Sequence, residues 1–275
     1  MELFGDAELL FGCRHEPADG PIAAGVVVCP PILTDFGANY QREVRLGRRL
    51  AATGIAVQRF HPRGMGHSDG AAVDVTLDSL VADARSALNR LREQTGVERV
   101  GLLGTRFSGL VAAAVAADDR SGAVPVVLWE PVTDPRRYMR DGLRARAVHA
   151  LERGAHDGEE PHDELARRGF VDVLGLPVGP GLFNTPADRG LGAGLGDHPR
   201  AVLLVQLEER DALRPSYAEL VGSWRASGFD VTDVCCPVEE SWWYVPDRLA
   251  AADDLLDVTS AWLTEQLTAR TGGVG

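Results

Sequence analysis

Short apolar runs recur along the chain and alternate with stretches in which apolar residues keep helical spacing. The runs span residues 25–30, 55–60, 99–104, 124–130, 201–207 and 231–237. They are nearly continuous in apolar character, which is typical of strands that are buried on both faces of a parallel sheet. The pattern therefore predicts an α/β fold with a mostly parallel central sheet that is flanked by helices.

Three stretches combine helical periodicity with residues that begin, end or dock a helix. Thr76 is placed to cap a helix over residues 77–94. A helix over residues 40–52 ends before Gly54, which suits the left-handed conformation that follows many helices. The last helix is expected to dock on the sheet through apolar residues at helical spacing, namely Leu255, Val258, Trp262, Leu263 and Leu267.

The alternation of runs and helices breaks between about residues 134 and 198. This segment is rich in charged residues and then in glycine and proline. We expect residues 1–133 and 199–275 to form the α/β core, and residues 134–198 to form an inserted helical cap. The cap is expected over the carboxyl edge of the sheet, where the pockets of open α/β sheets lie.

Charge and composition exclude several classes of function. The chain has 28 basic and 40 acidic residues and a formal net charge of -12, which argues against binding to nucleic acid. All 28 basic residues are arginine. A Walker lysine, a kinase strand lysine and a Schiff-base lysine are therefore excluded, and we expect no cofactor. The expected partner is a small molecule or a modified peptide.

Neither membrane insertion nor secretion is expected. No run approaches the roughly 18 consecutive apolar residues that a membrane helix needs. The first residues have no basic segment ahead of a long apolar run. The four cysteines form no CxxC pattern and are typical of thiols in a reducing cytoplasm, so a cytoplasmic protein is expected.

One acidic stretch, residues 155–164, contains residue types that bind metal ions. Gly158 and Pro161 interrupt any regular face of ligands. We therefore expect a solvated part of the cap there, and no metal site.

Residues 101–114, GLLGTRFSGLVAAA, have the outline of a strand, a sharp turn and a helix, with small residues at the bend. The order of elements from about residue 22 to residue 268 resembles the α/β-hydrolase superfamily. Residues 26–70 look like its third strand, oxyanion loop, first helix and fourth strand, although His61 stands where the family often has aspartate. The resemblance implies that residues 101–114 form the elbow that presents a nucleophile in this family.

The nucleophile itself is missing from this elbow. The family motif is G-x-S-x-G. When Gly104 is aligned with the first glycine, Arg106 stands at the serine position and Ser108 at the second glycine; a shift by one residue places Phe107 at the serine position instead. Arginine stays protonated in proteins and phenylalanine has no nucleophilic atom, so neither frame provides the nucleophile.

The resemblance also implies a general-base histidine after the last strand. The sequence contains seven histidines, and none of them follows His198. Carboxylates are present where the family has its acid, at Glu208, Glu209 and Asp211. A carboxylate without a base or a nucleophile is not a triad, and we assign no catalytic residue.

We expect a ligand between the oxyanion-type loop, the elbow, the loop after the last strand and the cap. The residues expected to line this crevice are Pro31, Ile32, Leu33, Arg106, Phe107, Trp129, Tyr138, Met139, Trp242, Trp243 and Val245. Two roles remain open for Arg106: a structural ion pair with an acid around residues 208–211, or contact with a ligand carboxylate. Trp129 could equally belong to the core.

Three functions remain open. The first is a tailoring enzyme that transfers a proton at an acidified carbon inside a capped cavity. For this hypothesis, the chain resembles the epimerase of bottromycin peptide biosynthesis, an α/β-hydrolase-fold protein that also lacks the triad. That resemblance implies inversion of an aspartate Cα beside a thiazoline, assisted by the substrate's own carboxylate. The second is an inactive pseudo-hydrolase that binds a ligand or a partner, and the third is an atypical esterase or thioesterase that uses Ser108.

Overall fold

The computed structural model describes residues 1–5, 8–121, 123–154, 159–208, 211–237 and 252–268. Its strands are β1 Glu2–Phe4, β2 Leu10–His15, β3 Ala24–Cys29, β4 Ile55–Phe60, β5 Val100–Thr105, β6 Val126–Trp129, β7 Val171–Val173, β8 Leu176–Val178, β9 Ala201–Gln206 and β10 Asp230–Cys235. Its α-helices are α1 Thr34–Ala52, α2 Leu77–Thr95, α3 Ser108–Ala117, α4 Pro135–Glu152, α5 Pro161–Arg168, α6 Pro180–Phe183, α7 Leu191–Gly194, α8 Pro215–Ala226 and α9 Asp253–Thr268. Within these ranges, no helix is long and apolar enough to cross a membrane.

The central sheet has the strand order β1-β2-β4-β3-β5-β6-β9-β10. β2 is antiparallel to β1 and to β4, and the strands from β4 to β10 in this order are mutually parallel. Each of the six apolar runs overlaps a strand of this sheet. The prediction of a mostly parallel sheet flanked by helices is therefore confirmed.

Two apolar layers cover the two faces of the sheet. α1 and α9 pack on one face, and α2, α3 and α8 pack on the other face. The helix predicted over residues 77–94 is α2, and it begins as expected. The Thr76 hydroxyl oxygen accepts a hydrogen bond from the backbone N–H of Ser79 (3.0 Å), and the Ser79 hydroxyl oxygen accepts one from the N–H of Thr76 (2.9 Å).

α1 begins earlier than the prediction of residues 40–52, at Thr34. Its first turns carry two buried polar residues, Asp35 and Asn39. The Asn39 side-chain amide donates to the Asp35 carbonyl oxygen (3.0 Å). Polar residues at buried positions hide the helical pattern of hydrophobicity, and that explains the late predicted start.

The segment over residues 134–198 is not purely helical. It contains α4 to α7 and also a two-stranded antiparallel hairpin of β7 and β8. α4 follows the carboxyl end of β6 closely, and Tyr138 in its first turns contacts Ile32 and Asp35, which follow the carboxyl end of β3. The start of the segment therefore covers the carboxyl edge of the sheet.

Candidate functional site

The turn between β5 and α3 has the backbone geometry of a strained elbow. Arg106 has φ of 55°, in the left-handed region that non-glycine residues seldom adopt. Phe107 has ordinary helical angles, with φ of -59°. The backbone N–H of Arg106 donates to the Trp129 carbonyl (2.9 Å), and the N–H of Val132 donates to the Arg106 carbonyl (3.1 Å). Of the two frames that the sequence left open, the structure selects the one with Arg106 at the tip.

Small residues allow this turn to close. A Cβ atom on Gly104 would lie 2.3 Å from the Ser108 carbonyl oxygen and 2.7 Å from the Gly109 Cα. A Cβ atom on Gly109 would lie 3.0 Å from the Cβ of Pro131. The absence of a side chain on Gly104 therefore lets β5 approach the start of α3, and its absence on Gly109 lets α3 lie against Pro131 after β6.

Ser108 joins the elbow to the loop that follows β3. Its side chain is buried, and its hydroxyl donates a short hydrogen bond to the Pro30 carbonyl oxygen. The hydroxyl therefore connects two separate elements, and its proton is engaged in this hydrogen bond.

The carboxylate that the described structure places beside Arg106 is Asp35, in the first turn of α1. The Arg106 Nε lies 3.3 Å from the Asp35 Oδ2, and the Arg106 side chain is 22% exposed. Of the acid loop over residues 208–211, Glu208 lies 3.6 Å from the guanidinium of Arg214. Asp35, which the sequence did not suggest as a partner of Arg106, comes into reach because α1 begins at Thr34.

Tyr138 of α4 completes a buried cluster with these residues. Its hydroxyl lies 3.0 Å from the Asp35 Oδ2 and 3.3 Å from the Ile32 carbonyl oxygen, so it can donate to either. Its ring centroid lies 5.4 Å from the ring of Phe107 and 5.6 Å from the guanidinium carbon of Arg106. The structure thus brings together the loop after β3, the elbow and α4. That a ligand binds between them stays a prediction.

Burial and charge shift the pKa values of this cluster. Burial raises the pKa of Asp35 above its ordinary range, although Arg106 and the Tyr138 hydroxyl oppose the shift. Burial by itself lowers the pKa of Arg106. Negative neighbours, among them the carboxylates of Asp35 and Glu130, oppose this effect, and the pKa of Arg106 is raised overall. Burial and the neighbouring Asp35 raise the pKa of Tyr138. A permanent cation therefore stands beside a carboxyl group that takes up a proton more readily than usual.

A second buried acid lies next to the elbow, directly after β6. Glu130 has φ of 44°. Its Oε2 accepts a hydrogen bond from the Leu207 N–H (2.8 Å), and its Oε1 lies 2.5 Å from the Arg214 Nη2. The Arg214 guanidinium stacks over the ring of Tyr217, 4.8 Å from its centroid. Glu130 therefore connects β6 with the end of β9 and the start of α8.

Sequence reasoning missed both buried acids, although each had a signal. Glu130 comes immediately after the apolar run that forms β6. Asp35 comes shortly after the run that forms β3, at the edge where the elbow was expected. Residues that follow the carboxyl ends of parallel strands meet at one edge of the sheet. On this basis Asp35 and Glu130 could have been included in the predicted site.

The Trp129 side chain does not line the predicted crevice. It is buried at the end of β6, and its indole N–H donates to the Thr259 hydroxyl of α9 (2.9 Å). It belongs to the apolar layer of α1 and α9, on the face of the sheet opposite Phe107 and Tyr138. Of the two roles that we considered for Trp129, the core role is the one that the structure shows.

The other predicted lining residues divide into two groups. Pro31 and Met139 are buried, and Leu33 is half-buried with φ of 55° at the start of α1. Trp242, Trp243 and Val245 lie outside the described residues, as does Glu209 of the acid loop. That Trp242, Trp243 and Val245 line the crevice stays a prediction.

The acidic stretch of the cap also lies partly outside the described residues, which omit 155–158. Glu164 of this stretch is buried between Arg146 and Arg168, each with a nitrogen 2.7 Å from a carboxylate oxygen. Its Oε1 also accepts from the Asp172 N–H (3.2 Å). Among the described residues, no group of three or more His, Cys, Asp or Glu side chains could hold a metal ion.

His61 has a structural role in the turn after β4. Burial, the neighbouring His67 and Arg59 lower its pKa to about 4, so the ring is neutral at physiological pH. Its Nδ1 accepts a hydrogen bond from the His67 backbone N–H (3.0 Å). A Cβ atom on Gly66 would lie 2.2 Å from that nitrogen, so the turn requires glycine there.

Comparisons with known proteins agree with this architecture. Residues 27–156 match the family model described as serine aminopeptidase, S33. A search of curated proteins finds no match to the chain. Among solved structures, Est1E from Butyrivibrio proteoclasticus with bound ferulic acid is 15% identical, with 98% of this chain and 100% of that chain covered and a TM-score of 0.69.

Two further solved structures have the same overall arrangement. Proline iminopeptidase from Mycobacterium smegmatis is 17% identical, with 96% of this chain and 97% of that chain covered and a TM-score of 0.55. An alpha-beta serine hydrolase homologue from Coxiella burnetii is 14% identical, with 97% and 96% covered and a TM-score of 0.54. At these identities the likeness shows the fold alone.

Proposed function

The chain has the α/β-hydrolase fold, and we propose that it uses this fold to bind and convert a small molecule or a modified peptide without a serine nucleophile. In this proposal the ligand binds between the loop after β3, the elbow and α4. Est1E holds ferulic acid, which supports a small organic ligand as the kind of molecule that suits this architecture.

The observation that carries the proposal is the arginine at the strained tip of the elbow. Arg106 is ion-paired with Asp35, and its guanidinium cannot lose the proton that a nucleophile would have to lose. The Ser108 hydroxyl, two residues past the tip, is buried and donates to the Pro30 carbonyl oxygen. Both features support chemistry in which no covalent acyl-enzyme forms.

The more specific proposal is epimerisation of a peptide residue that carries an acidified Cα–H, such as an aspartate beside a thiazoline. A carboxylate removes the Cα proton, and the electron pair moves into the adjacent C=N group. A proton then returns to the opposite face of the carbon, which restores the Cα–H bond with inverted configuration. No bond to the protein forms, and no redox partner is needed.

Two features of the cluster favour such a proton transfer. The raised pKa of Asp35 brings its carboxyl group closer to the neutral range in which a general base works best. The Arg106 cation lies beside it and stabilises the negative charge that develops on the substrate. The substrate's own carboxylate is the alternative proton acceptor, with Arg106 and Tyr138 orienting it.

The experiment is a Cα-deuterium exchange assay in D2O on a short peptide with aspartate next to a thiazoline. We expect one deuterium at the aspartate Cα and mixed stereochemistry, both read by mass spectrometry and chiral analysis. The Asp35→Asn variant is expected to exchange at least tenfold more slowly if Asp35 is the base. Asp118→Asn, which changes an exposed acid outside the site, serves as the matched control.

Three outcomes of this assay have different meanings. If wild type and Asp35→Asn exchange at equal rates, the substrate's own carboxylate and not Asp35 removes the Cα proton. Binding without exchange, measured by calorimetry, contradicts epimerisation and favours ligand binding without turnover. This second candidate function is supported by the Arg106–Asp35 pair, which satisfies the cation within the protein. If the peptide neither binds nor exchanges, the modified-peptide proposal is contradicted altogether.

A further inference from the structure

The outer face of α4 carries an exposed stripe of side chains. On its inner face, α4 buries Pro135, Tyr138 and Met139. Side chains at positions 137, 141, 144, 148 and 151 follow one another at alternating spacings of four and three residues. We call this set the α4 stripe, and its members are Arg137, Asp141, Arg144, Val148 and Leu151.

The spacing of the α4 stripe is that of a helix–helix seam. Alternating steps of four and three residues keep side chains on one side of a helix, as in the heptads of coiled coils. At a rise of about 1.5 Å per residue, the stripe is about 21 Å long. That length accommodates one helix of a partner laid along it.

The stripe has a charged half and an apolar half. The Arg137 and Arg144 side chains are 69% and 76% exposed, and Asp141 lies between them, 3.8 Å from the first guanidinium and 3.1 Å from the second. One acid therefore pairs with both arginines, and this half keeps an excess of positive charge. Val148 and Leu151 follow on the next turns with 55% and 68% of their surface exposed. α4 as a whole carries five arginines against two acidic side chains, in a chain whose formal net charge is -12.

Two copies of this chain are poorly matched over the full length of the stripe. An antiparallel pair of α4 helices with its axis at the centre of the stripe would place Arg144 against Arg144. The same pairing would set each Arg137 against a Leu151. Like charges and a cation against an apolar side chain are both unfavourable, so this full-length two-fold pairing is disfavoured.

We propose that the α4 stripe binds an acidic, amphipathic helix of a partner protein. Carboxylates of that helix meet Arg137 and Arg144, and its apolar side chains cover Val148 and Leu151. The contact is separate from the reaction proposed above, because the stripe lies on the side of α4 that faces away from Tyr138 and the elbow.

The test uses a fluorescein-labelled synthetic peptide of roughly 15 residues, with glutamates in one half and leucines in the other at heptad spacing. Binding is followed by fluorescence anisotropy. We expect saturable binding to the full chain, weakened by salt. Arg137→Glu with Arg144→Glu is expected to weaken it at least about tenfold, and Val148→Ser with Leu151→Ser by a similar factor.

A matched control separates the stripe from general charge. Arg85→Glu with Arg92→Glu makes the same change at the same seven-residue spacing on the exposed face of α2. The control should bind like wild type. The proposal is overturned if wild type fails to bind the peptide, or if the control loses as much affinity as the α4 variant. It is equally overturned if sedimentation velocity shows a dimer that the stripe variants dissociate.

Discussion

Replacing Arg106 with methionine is expected to lower the free energy of unfolding by about 3 kcal/mol, measured by urea denaturation at neutral pH. Methionine keeps much of the length of the side chain but removes the cation 3.3 Å from the Asp35 carboxylate. The carboxylate is then buried with only the Tyr138 hydroxyl as a described side-chain partner. An uncompensated buried charge is among the most destabilising changes that a single substitution can make.

The pH dependence identifies the cause of this loss. Burial already raises the pKa of Asp35 above its value in the unfolded chain, about 3.9, and removal of Arg106 raises it further. A raised native pKa of an acid means that stability falls as pH rises through that value. The deficit of the Arg106→Met variant should therefore be greatest at neutral pH and shrink as the solution is acidified.

A double variant provides the control. Asp35→Asn removes the charge that Arg106→Met leaves behind, so the Arg106→Met/Asp35→Asn variant should be more stable than Arg106→Met alone. A double variant that is no more stable than the single one, together with a deficit that is independent of pH, would show that Arg106 stabilises the fold by packing and not through Asp35.

The second large effect is expected from Gly104→Ala, with a loss of about 3 kcal/mol of unfolding free energy. The new Cβ atom would lie 2.3 Å from the carbonyl oxygen of Ser108 and 2.7 Å from the Cα of Gly109. Both contacts are with backbone, which cannot move aside as a side chain can. The start of α3 must shift away from β5, and the elbow must open.

Gly101→Ala, in the same strand, is the matched control for this substitution. Its Cβ atom would lie 3.2 Å from a terminal methyl carbon of Leu263, a flexible side chain. We expect a change within about 1 kcal/mol, because a small rearrangement of Leu263 is offset by the lower entropy of the unfolded alanine chain. Equal losses for the two variants would contradict the close packing of strand and helix at the elbow.

The central sheet could be predicted from the sequence because most of its strands are buried on both faces. Such strands are continuous apolar runs, and β5 and β9 stand out for that reason. β1 and β2 had no such signal. β2 contains a glycine, an arginine and a histidine and is only partly buried, so its pairing with β4 could not be inferred from hydrophobicity.

Because β6 is buried on both faces, the sequence could not show to which face of the sheet the Trp129 side chain points. In a strand with one wet face, alternation of apolar and polar residues shows which side chains point inward. β6 is apolar throughout, so its sequence fits either orientation of Trp129. Only the structure, with Thr259 as hydrogen-bond partner, places the side chain against α9.

The Arg106–Asp35 contact was beyond the reach of sequence patterns for another reason. The two residues are 71 positions apart, and they meet only because α1 starts at Thr34 and the elbow tip turns toward it. The small residues around the bend indicated an elbow but left Arg106 and Phe107 as alternatives for its tip, and the backbone angle of Arg106 decides between them. Its partner depends on tertiary packing, for which a single sequence carries no local signal.

The central claim, that the elbow works without a serine nucleophile, has a direct test. The full chain is incubated with a fluorophosphonate, which forms a covalent ester with an activated serine, and its intact mass is measured beside Ser108→Ala and a known serine hydrolase. We predict an unchanged mass for wild type and for Ser108→Ala, under conditions that modify the known hydrolase completely. Stoichiometric modification of the wild-type chain at Ser108, abolished in Ser108→Ala, would contradict the claim.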